Sequence, residues 1–296
     1  MSKLSVIIPS VNGLPAISEC LTALERQRGE SKPEVIVVDR CRNGTAEHIK
    51  TRFPNVKLMH VSEPIGIPEM RSIGLAQATG DIIAFIEDHC IAPVDWNERI
   101  IKAHESGYSA IGGAVENGSC ERIRDWAAYL CEYSNLMLPL PAGEVSSIGG
   151  NNASYARKIL EAVDESIKRD CWEFFLHEEL KAQGVRFLSV PEIVLAHKKE
   201  FDVMYFLAQR FHYSRSFAAM RRARVSGTRR IYYLLTTPML PILLLWRIAS
   251  QVTSKRRHYK EFILSLPLLV LYGVSYACGE FIGYLIGPGQ SLARVE

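Results

Sequence analysis

The stretch Gly80–Cys90, with the sequence GDIIAFIEDHC, places five apolar residues directly before two carboxylates and an imidazole. The apolar run Ile82–Ile86 is bounded by a glycine and by polar residues, which is typical of a strand covered on both faces. Ligands of open α/β sheets bind at the carboxyl ends of such strands. The group Glu87, Asp88 and His89 therefore has two interpretations from these residues alone, a solvated strand end or a metal site.

Strand and helix patterns alternate before this stretch. Six segments carry them: strands over 4–8, 35–38 and 56–61, and helices over 15–26, 45–53 and 68–78. This alternation predicts a parallel sheet with right-handed crossovers. Asn12 and Asp39 follow the first two strands, so polar residues collect at strand ends, which favours a nucleotide site. The G-x-G-x-x-G fingerprint and the P-loop are both absent, which disfavours a dinucleotide dehydrogenase and a P-loop NTPase.

Charge and cysteine usage narrow the class of protein. The net charge is only +3, but five arginines lie within 221–230, and four further basic residues lie within 255–260. Both clusters flank apolar stretches, which indicates a membrane surface rather than nucleic acid. The seven cysteines contain no C-x-x-C pair, so we expect neither a disulfide framework nor a zinc ribbon. We expect the protein to lie in a reducing compartment. The first ten residues lack the pattern of a signal peptide.

Four segments together resemble glycosyltransferase family 2, the inverting transferases with the GT-A fold. They are SVIIPSVN, VIVVDRCRNGT, PIGIPEMRSIGLAQATGDIIAFIEDHC and IGGNNASYARKIL, and the resemblance covers roughly residues 4–215. It implies a GT-A-type, Rossmann-like mixed sheet flanked by helices. It also implies a nucleoside-diphosphate sugar as donor, either a uridine diphosphate sugar or a guanosine diphosphate sugar.

The resemblance implies roles for individual residues. Where the family usually has D-x-D, this chain has Glu87, Asp88 and His89, and a divalent cation, Mn²⁺ or Mg²⁺, would be held by Asp88, His89 and His197. Strand alternation would place Glu87 and His89 on one face and Asp88 on the other. Asp39 matches the aspartate that contacts the base. The residues implied in substrate binding are Pro9, Asn12, Asp39, Arg71, Glu87, Gly150, Asn151, Arg210 and Arg215.

An inverting transfer needs a general base that takes a proton from the acceptor hydroxyl. The segment DCWEFFLHEELKAQGVRF occupies the place of the family's base motif, and counting back from Gly184 selects Glu173. His177 lies one turn further on and could orient it. Glu178 and Glu179 are alternatives, although solvated helix surface is the simpler interpretation.

Of three further arginines, two have open alternatives at this point. Arg71 would either neutralise phosphate or pair with a nearby carboxylate. Arg210 lies where processive relatives carry Q-x-x-R-W, but no tryptophan follows, so processivity is not supported. Arg215 would reach the diphosphate or serve as a lipid-facing charge on an amphipathic helix.

Two apolar segments close the chain, over 231–252 and 262–287. The second is long enough to cross a bilayer, whereas Pro238 and Pro241 interrupt the first. The basic clusters predict that the second is embedded most deeply and that the first is shallow or re-entrant. Gly279, Gly283 and Gly287 form a small-x-x-x-small face that favours helix–helix self-association.

The sequence thus predicts three regions: a nucleotide-sugar-binding half (1–95), an acceptor-binding and catalytic half (96–218), and a membrane-associated end (219–296). We expect a metal-dependent inverting glycosyltransferase that transfers a sugar to a hydroxyl of a glycan or lipid-linked acceptor at the cytoplasmic face of the membrane. One alternative is a catalytically silent membrane subunit that keeps a nucleotide-sugar-binding domain. A nucleotidyltransferase is disfavoured because the glycine- and lysine-rich phosphate loop is missing.

Overall fold

The computed structural model describes residues 3–29 and 32–295. Within them, nine strands form one sheet: β1 (Leu4–Ser10), β2 (Glu34–Asp39), β3 (Lys57–His60), β4 (Ile82–Phe85), β5 (Cys90–Ile91), β6 (Ala110–Asn117), β7 (Gly143–Val145), β8 (Ala153–Ala156) and β9 (Phe187–His197). Their order is β3-β2-β1-β4-β8-β6-β9-β5, and β7 pairs with the start of β9.

The first four strands are parallel neighbours, as their alternation with helices predicts. β8 joins β4 and β6 in antiparallel fashion, and β9 runs parallel to β6. Two antiparallel steps restore the direction, so β4, β6 and β9 all point their carboxyl ends toward the same edge. The predicted Rossmann-like mixed sheet is confirmed.

Helices occupy the intervening and C-terminal segments. They are α1 (Ala16–Glu25), α2 (Thr45–Arg52), α3 (Ile67–Gln77), α4 (Trp96–His104), α5 (Ile123–Tyr133), α6 (Arg157–Glu161), α7 (Glu165–Asp170), α8 (Glu173–Ala182), α9 (Val203–Arg222), α10 (Gly227–Thr236), α11 (Leu240–Lys255) and α12 (Tyr259–Ile286). Short 3-10 turns span Thr237–Met239 and Leu292–Arg294.

The central strands are covered on both faces. In β4, Ile82 and Ala84 belong to one apolar core, whereas Ile83 and Phe85 belong to the core on the opposite face. Successive side chains of a strand point to opposite faces, so an uninterrupted apolar run is what this position requires. The polar residues that follow β4 therefore lie beyond the part of this segment that packs between the two apolar cores.

The chain forms two compact units. The first contains the described residues up to Gly118 together with Leu136–Lys198, and the second contains Ser119–Asn135 with the described residues from Lys199 onward. The sheet lies in the first unit, and α5 and α9 to α12 form the second. α5 and α9 belong to the second unit because both pack on α12. The three regions predicted from sequence stay a prediction.

Helix α9 runs parallel to α12 within the second unit. Ser275 Oγ donates to the Leu207 carbonyl oxygen at 2.7 Å. A methyl group at Gly279 or Gly283 would lie 2.3 Å from the Phe211 oxygen or 2.4 Å from the Arg215 oxygen, respectively. The two glycines therefore permit a close approach of α9 in the same chain, and this covered face does not favour self-association through them.

Two helical segments of the described residues are long and apolar enough to cross a bilayer, by length and composition alone. They are Gly227–Lys255, which contains α10 and α11, and Tyr259–Ile286, which is α12. Pro238 lies in the 3-10 turn between α10 and α11, and Pro241 lies in the first turn of α11, where neither proline interrupts a helical hydrogen bond.

Candidate active site

The pairing of β5 with β9 brings two distant segments of the first unit together. After β4 ends at Phe85, the chain turns, and the backbone N–H of Cys90 donates to the backbone carbonyl oxygen of Glu87 at 3.0 Å. β5 then runs back along β9, with Cys90 opposite His197. His89, the residue before β5, consequently lies beside the last residue of β9.

Glu87, His89 and His197 converge at this edge of the sheet. The Nε2 atoms of the two histidines are 2.7 Å apart, and Glu87 Oε2 lies 3.3 Å from His89 Nε2 and 3.6 Å from His197 Nε2. Neighbouring ligands of an octahedral ion at about 2.1 Å are about 3 Å apart, so these spacings match one face of such a site. One carboxylate and two imidazoles form a donor set that suits manganese.

Asp88 points the other way, toward the loop after β1. It is fully buried and accepts hydrogen bonds from Val11 N at 2.8 Å, from Asn12 N at 2.7 Å and from Asn12 Nδ2 at 2.7 Å. Burial alone would raise its pKa, but the bonds from His89 and Asn12 and the charge of His89 lower it below the ordinary value. Asp88 therefore serves as an ionised acceptor.

Asp88 also orients one histidine of the cluster. Its Oδ1 lies 2.9 Å from His89 Nδ1. When Nδ1 donates to this carboxylate, Nε2 is left as an acceptor that faces Glu87 and His197, the arrangement that metal-binding histidines use. The ligand atoms that the structure brings together thus differ from the predicted set by one residue, with Glu87 in place of Asp88. The turn over 87–90, rather than strand pleating, separates the two carboxylates, because β4 ends before them.

Asp39 ends β2 at the same edge. It is fully buried, and its carboxylate accepts from Ser10 Oγ at 2.9 Å and lies 3.1 Å from His60 Nδ1. Pro9 precedes Ser10 in β1 and pairs with Val38 in β2. The candidate base-binding residues therefore form a rigid group on adjacent strands, and Ser10 and His60 join those that the sequence indicated.

Glu173 begins α8 on the other side of the candidate site. Its Oε2 lies 3.4 Å from Arg71 Nη1, and Arg71 Nη2 donates to the Gly150 oxygen at 3.3 Å. A methyl group at Gly150 would lie 2.6 Å from the Glu173 carboxyl carbon, so a larger residue there would displace the Glu173 side chain. Of the two alternatives for Arg71, the structure shows the pairing with a carboxylate, and the contact with phosphate stays a prediction. The positive charge of Arg71 also contributes to a lowered pKa of Glu87.

The pKa of Glu87 reflects the charges around it. Burial alone would raise this pKa, but when His89 and His197 are protonated, the hydrogen bond that His89 then donates and the positive charges of His89, His197 and Arg71 lower it. Glu87 is therefore ionised at neutral pH. An ionised carboxylate beside two imidazoles is the state in which a divalent cation binds.

Asn151 carries buried polar atoms without a hydrogen-bond partner. Its side chain is 3% exposed, and neither Oδ1 nor Nδ2 has a partner in the described chain. The adjacent Asn152 contrasts with it, because its amide bonds Trp96 Nε1, the Ala114 oxygen and the Ile193 oxygen. An orphaned amide is costly, so Asn151 is suited to a ligand whereas Asn152 holds the fold.

Tyr155 and His177 form a buried pair that the sequence did not reveal. Tyr155 Oη lies 2.6 Å from His177 Nε2, and both side chains are at most 3% exposed. Burial, together with the positive charges of Lys181 and Arg71, lowers the pKa of His177 to about 4. His177 is therefore neutral at pH 7 and accepts from Tyr155, rather than acting on Glu173 as its helical spacing suggested.

This pair predicts a stability that falls in acid. Because the unfolded chain binds a proton at a histidine pKa of about 6.5 and the folded chain only near 4, the free energy of unfolding should fall as pH drops from 6.5 to 4. His177→Gln should flatten that dependence, as urea unfolding at pH 7.0, 6.0 and 5.0 would measure. An unchanged slope in the variant would contradict a neutral buried histidine.

Arg210 and Arg215 lie in the second unit. Arg210 Nη2 pairs with Glu132 at 2.7 Å, and its guanidinium lies over the rings of Phe206 and Tyr213. Arg215 Nε donates to the Gly287 oxygen at 2.9 Å, beyond the end of α12. Both arginines thus have partners within the helical unit, and their roles in substrate binding stay predictions.

Comparison with known proteins agrees with the fold. The chain is 35% identical over 118 residues to the glycosyltransferase AglE of Haloferax volcanii, covering 38% of this chain and 39% of that protein. It is 28% identical over 138 residues to a glucosyl-dolichyl phosphate glucuronosyltransferase of the same organism, covering 44% and 42%. Each match spans about two-fifths of the relative's own length.

A solved structure extends the likeness to most of the chain. The mannosyltransferase PcManGT from Pyrobaculum calidifontis, in complex with GDP-Man and Mn²⁺, superposes with a TM-score of 0.58. The superposition covers 93% of this chain and 87% of that one at 17% identity, which shows a shared fold. The family model for glycosyl transferase family 2 matches residues 5–164, just over half of the sequence. The chain therefore belongs to glycosyltransferase family 2 and has the GT-A fold.

Proposed function

We propose that this protein is a metal-dependent inverting glycosyltransferase that moves a sugar from a nucleoside diphosphate to an acceptor hydroxyl. The observation that carries the proposal is the convergence of Glu87, His89 and His197 at the ligand-binding edge of a GT-A sheet. Their three ligand atoms lie within 4.8 Å of one another. The bound Mn²⁺ and GDP-Man of PcManGT support the same class of donor and ion.

The proposed ion site uses Glu87, His89 and His197, with Asp88 as the residue that orients His89. A divalent cation bound there, Mn²⁺ or Mg²⁺, supplies positive charge that stabilises the diphosphate as it leaves. Asp39, with Ser10 and His60 beside it, is proposed to bind the nucleotide base.

Glu173 is proposed as the general base. An inverting transfer is a single displacement, so the acceptor hydroxyl attacks the sugar carbon as the bond to the diphosphate breaks. Glu173 would take the hydroxyl proton, and Arg71 would hold the carboxylate in place through its contact at 3.4 Å. The unpaired amide of Asn151, next to Gly150, is proposed to hydrogen-bond a substrate hydroxyl.

The acceptor is proposed to be a glycan or lipid-linked hydroxyl at the cytoplasmic face of the membrane, in glycan or exopolysaccharide synthesis. Support comes from two apolar helical segments beside basic clusters and from the dolichyl phosphate in the name of one relative. Arg210 and Arg215 are proposed to bind substrate.

A panel of sugar nucleotides tests the function directly. With Mn²⁺ present, one uridine or guanosine diphosphate sugar should raise the apparent stability by about 2.7 kcal/mol at 100 times its Kd. The same donor should be consumed, with release of the nucleoside diphosphate. Donor binding without turnover, with any acceptor extract supplied, would instead support the catalytically silent subunit.

A further inference from the structure

Helices α10, α11 and α12 form a hairpin whose two arms run along each other. Arg230 at the start of the first arm donates to the Tyr284 oxygen at 2.9 Å, near the end of α12. Pro241, midway along that arm, is 3.1 Å from the Cβ position of Gly273. The arms join through 256–258, directly before α12.

One side of this hairpin is covered by helices that carry charged residues. α9 follows α12 from Ser275 onward, and Ala127 and Ala128 of α5 cluster with Tyr272. These two covering helices carry Asp125, Glu132, Arg210, Arg215 and Arg221, among other charged residues. If α12 crossed a bilayer, the helices packed along it would enter the hydrocarbon with their charges, which is costly.

The opposite side is exposed and apolar. Sixteen of the nineteen large apolar side chains that are exposed among the described residues lie on α10, α11, α12 and the 3-10 turn between α10 and α11. Ile231, Leu235, Ile242 and Trp246 on one arm are 58%, 72%, 69% and 70% exposed. A surface this large and apolar marks an interaction site.

Positive charge lies at both ends of the hairpin. Arg224 and Arg229 are exposed at one end, and Arg256 and Lys260 are exposed at the other. The 28 residues of α12 span about 42 Å. In a spanning hairpin the two clusters would face opposite sides of the membrane, whereas a hairpin lying flat would place both against phosphate groups of one leaflet.

We propose that the α10–α12 hairpin lies in the plane of the membrane, rests its apolar side on one leaflet of an anionic bilayer and does not cross it. The inference rests on the membrane part of the proposed function and is independent of sugar transfer. It changes the prediction from sequence, in which residues 262–287 were embedded most deeply, because α5 and α9 cover one side of α12. Both arms then insert to a similar, shallow depth.

Labelling of single cysteines decides between the two orientations. In a full-length variant with the exposed Cys120 and Cys278 replaced by serine, Thr228→Cys and Ser254→Cys mark the two ends of the hairpin. In sealed vesicles of known orientation, an impermeant maleimide should label both positions from the same side. Labelling of the two positions from opposite sides would show a spanning hairpin and overturn the proposal.

Vesicle sedimentation tests the partner. Binding to phosphatidylglycerol vesicles should exceed binding to phosphatidylcholine vesicles, and Arg224→Gln with Arg229→Gln should weaken the former roughly 25-fold. Lys50→Gln with Lys102→Gln, which removes the same charge from exposed sites in the first unit, should leave binding unchanged. Absence of binding to either kind of vesicle, together with a stable dimer that buries the apolar side, would overturn the proposal. Sugar transfer, measured on soluble acceptor in parallel, reports separately on the proposed activity.

Discussion

Glu173→Gln is expected to lower kcat for sugar transfer about 10³-fold while donor binding stays within a few-fold. Glutamine keeps the volume of the side chain but cannot accept the proton of the acceptor hydroxyl at neutral pH. Glu173 begins α8, at the end of the helix that carries a partial positive charge. The measurement is initial rate against acceptor concentration at saturating donor and Mn²⁺.

The matched control is Glu178→Gln on the same helix. Glu178 is paired with Lys181 at 2.7 Å and its side chain is 53% exposed, so its loss should change the rate less than twofold. A Glu173→Gln enzyme that retains a tenth of the activity would assign the proton transfer to another group, and Glu179 would be tested next.

Glu87→Gln is expected to weaken Mn²⁺ binding and sugar transfer about 100-fold or more, because it removes the one carboxylate of the convergent cluster. A chelator should likewise abolish transfer by the unaltered protein, and added Mn²⁺ should restore it. Binding of Mn²⁺ alone, followed by calorimetry or by its paramagnetic resonance signal, gives a measurement independent of turnover. His104→Gln, at a histidine bonded to Ser154 away from the cluster, is the control and should bind Mn²⁺ normally.

The same experiment separates the two possible ligand sets. Asp88→Asn should lower the free energy of unfolding by about 2–4 kcal/mol, because a buried carboxylate with three donors from the β1 loop loses its charge. It should still bind one Mn²⁺ per chain. If folded Asp88→Asn fails to bind the ion while Glu87→Gln binds it, Asp88 is the ligand, as the family resemblance implies.

Local patterns predicted this part of the sheet because each of β1 to β4 has its own apolar run in the sequence. The apolar runs and the helical spacing between them are short-range signals, and the structure places strands at Leu4–Ser10 and Ile82–Phe85 where the sequence expects them. Gly80 shows where such reasoning ends. It bounds the apolar run in the sequence, but the reason for a glycine there is a long-range contact, because a side chain would meet the Lys3 oxygen and Ser5.

Long-range contacts were not predictable in the same way. β5 has two residues, too few for any periodicity, yet its pairing with β9 decides which carboxylate faces the histidines. Likewise, the glycine spacing of α12 indicated a close helix contact but not that its partner would be α9. The partner of Tyr155 is 22 residues away on another element, and neither residue type in isolation suggests the pair.

The pairing of β5 with β9 has a consequence for how the ion and the fold depend on each other. His89 and His197 are 108 residues apart in sequence, so a complete set of ligands exists only once the chain has closed that long loop. The segment that identifies the family, 5–164, ends before both His197 and Glu173. Binding of the proposed ion would therefore depend on completion of the sheet, and its free energy would stabilise the finished domain rather than any shorter, partly assembled portion.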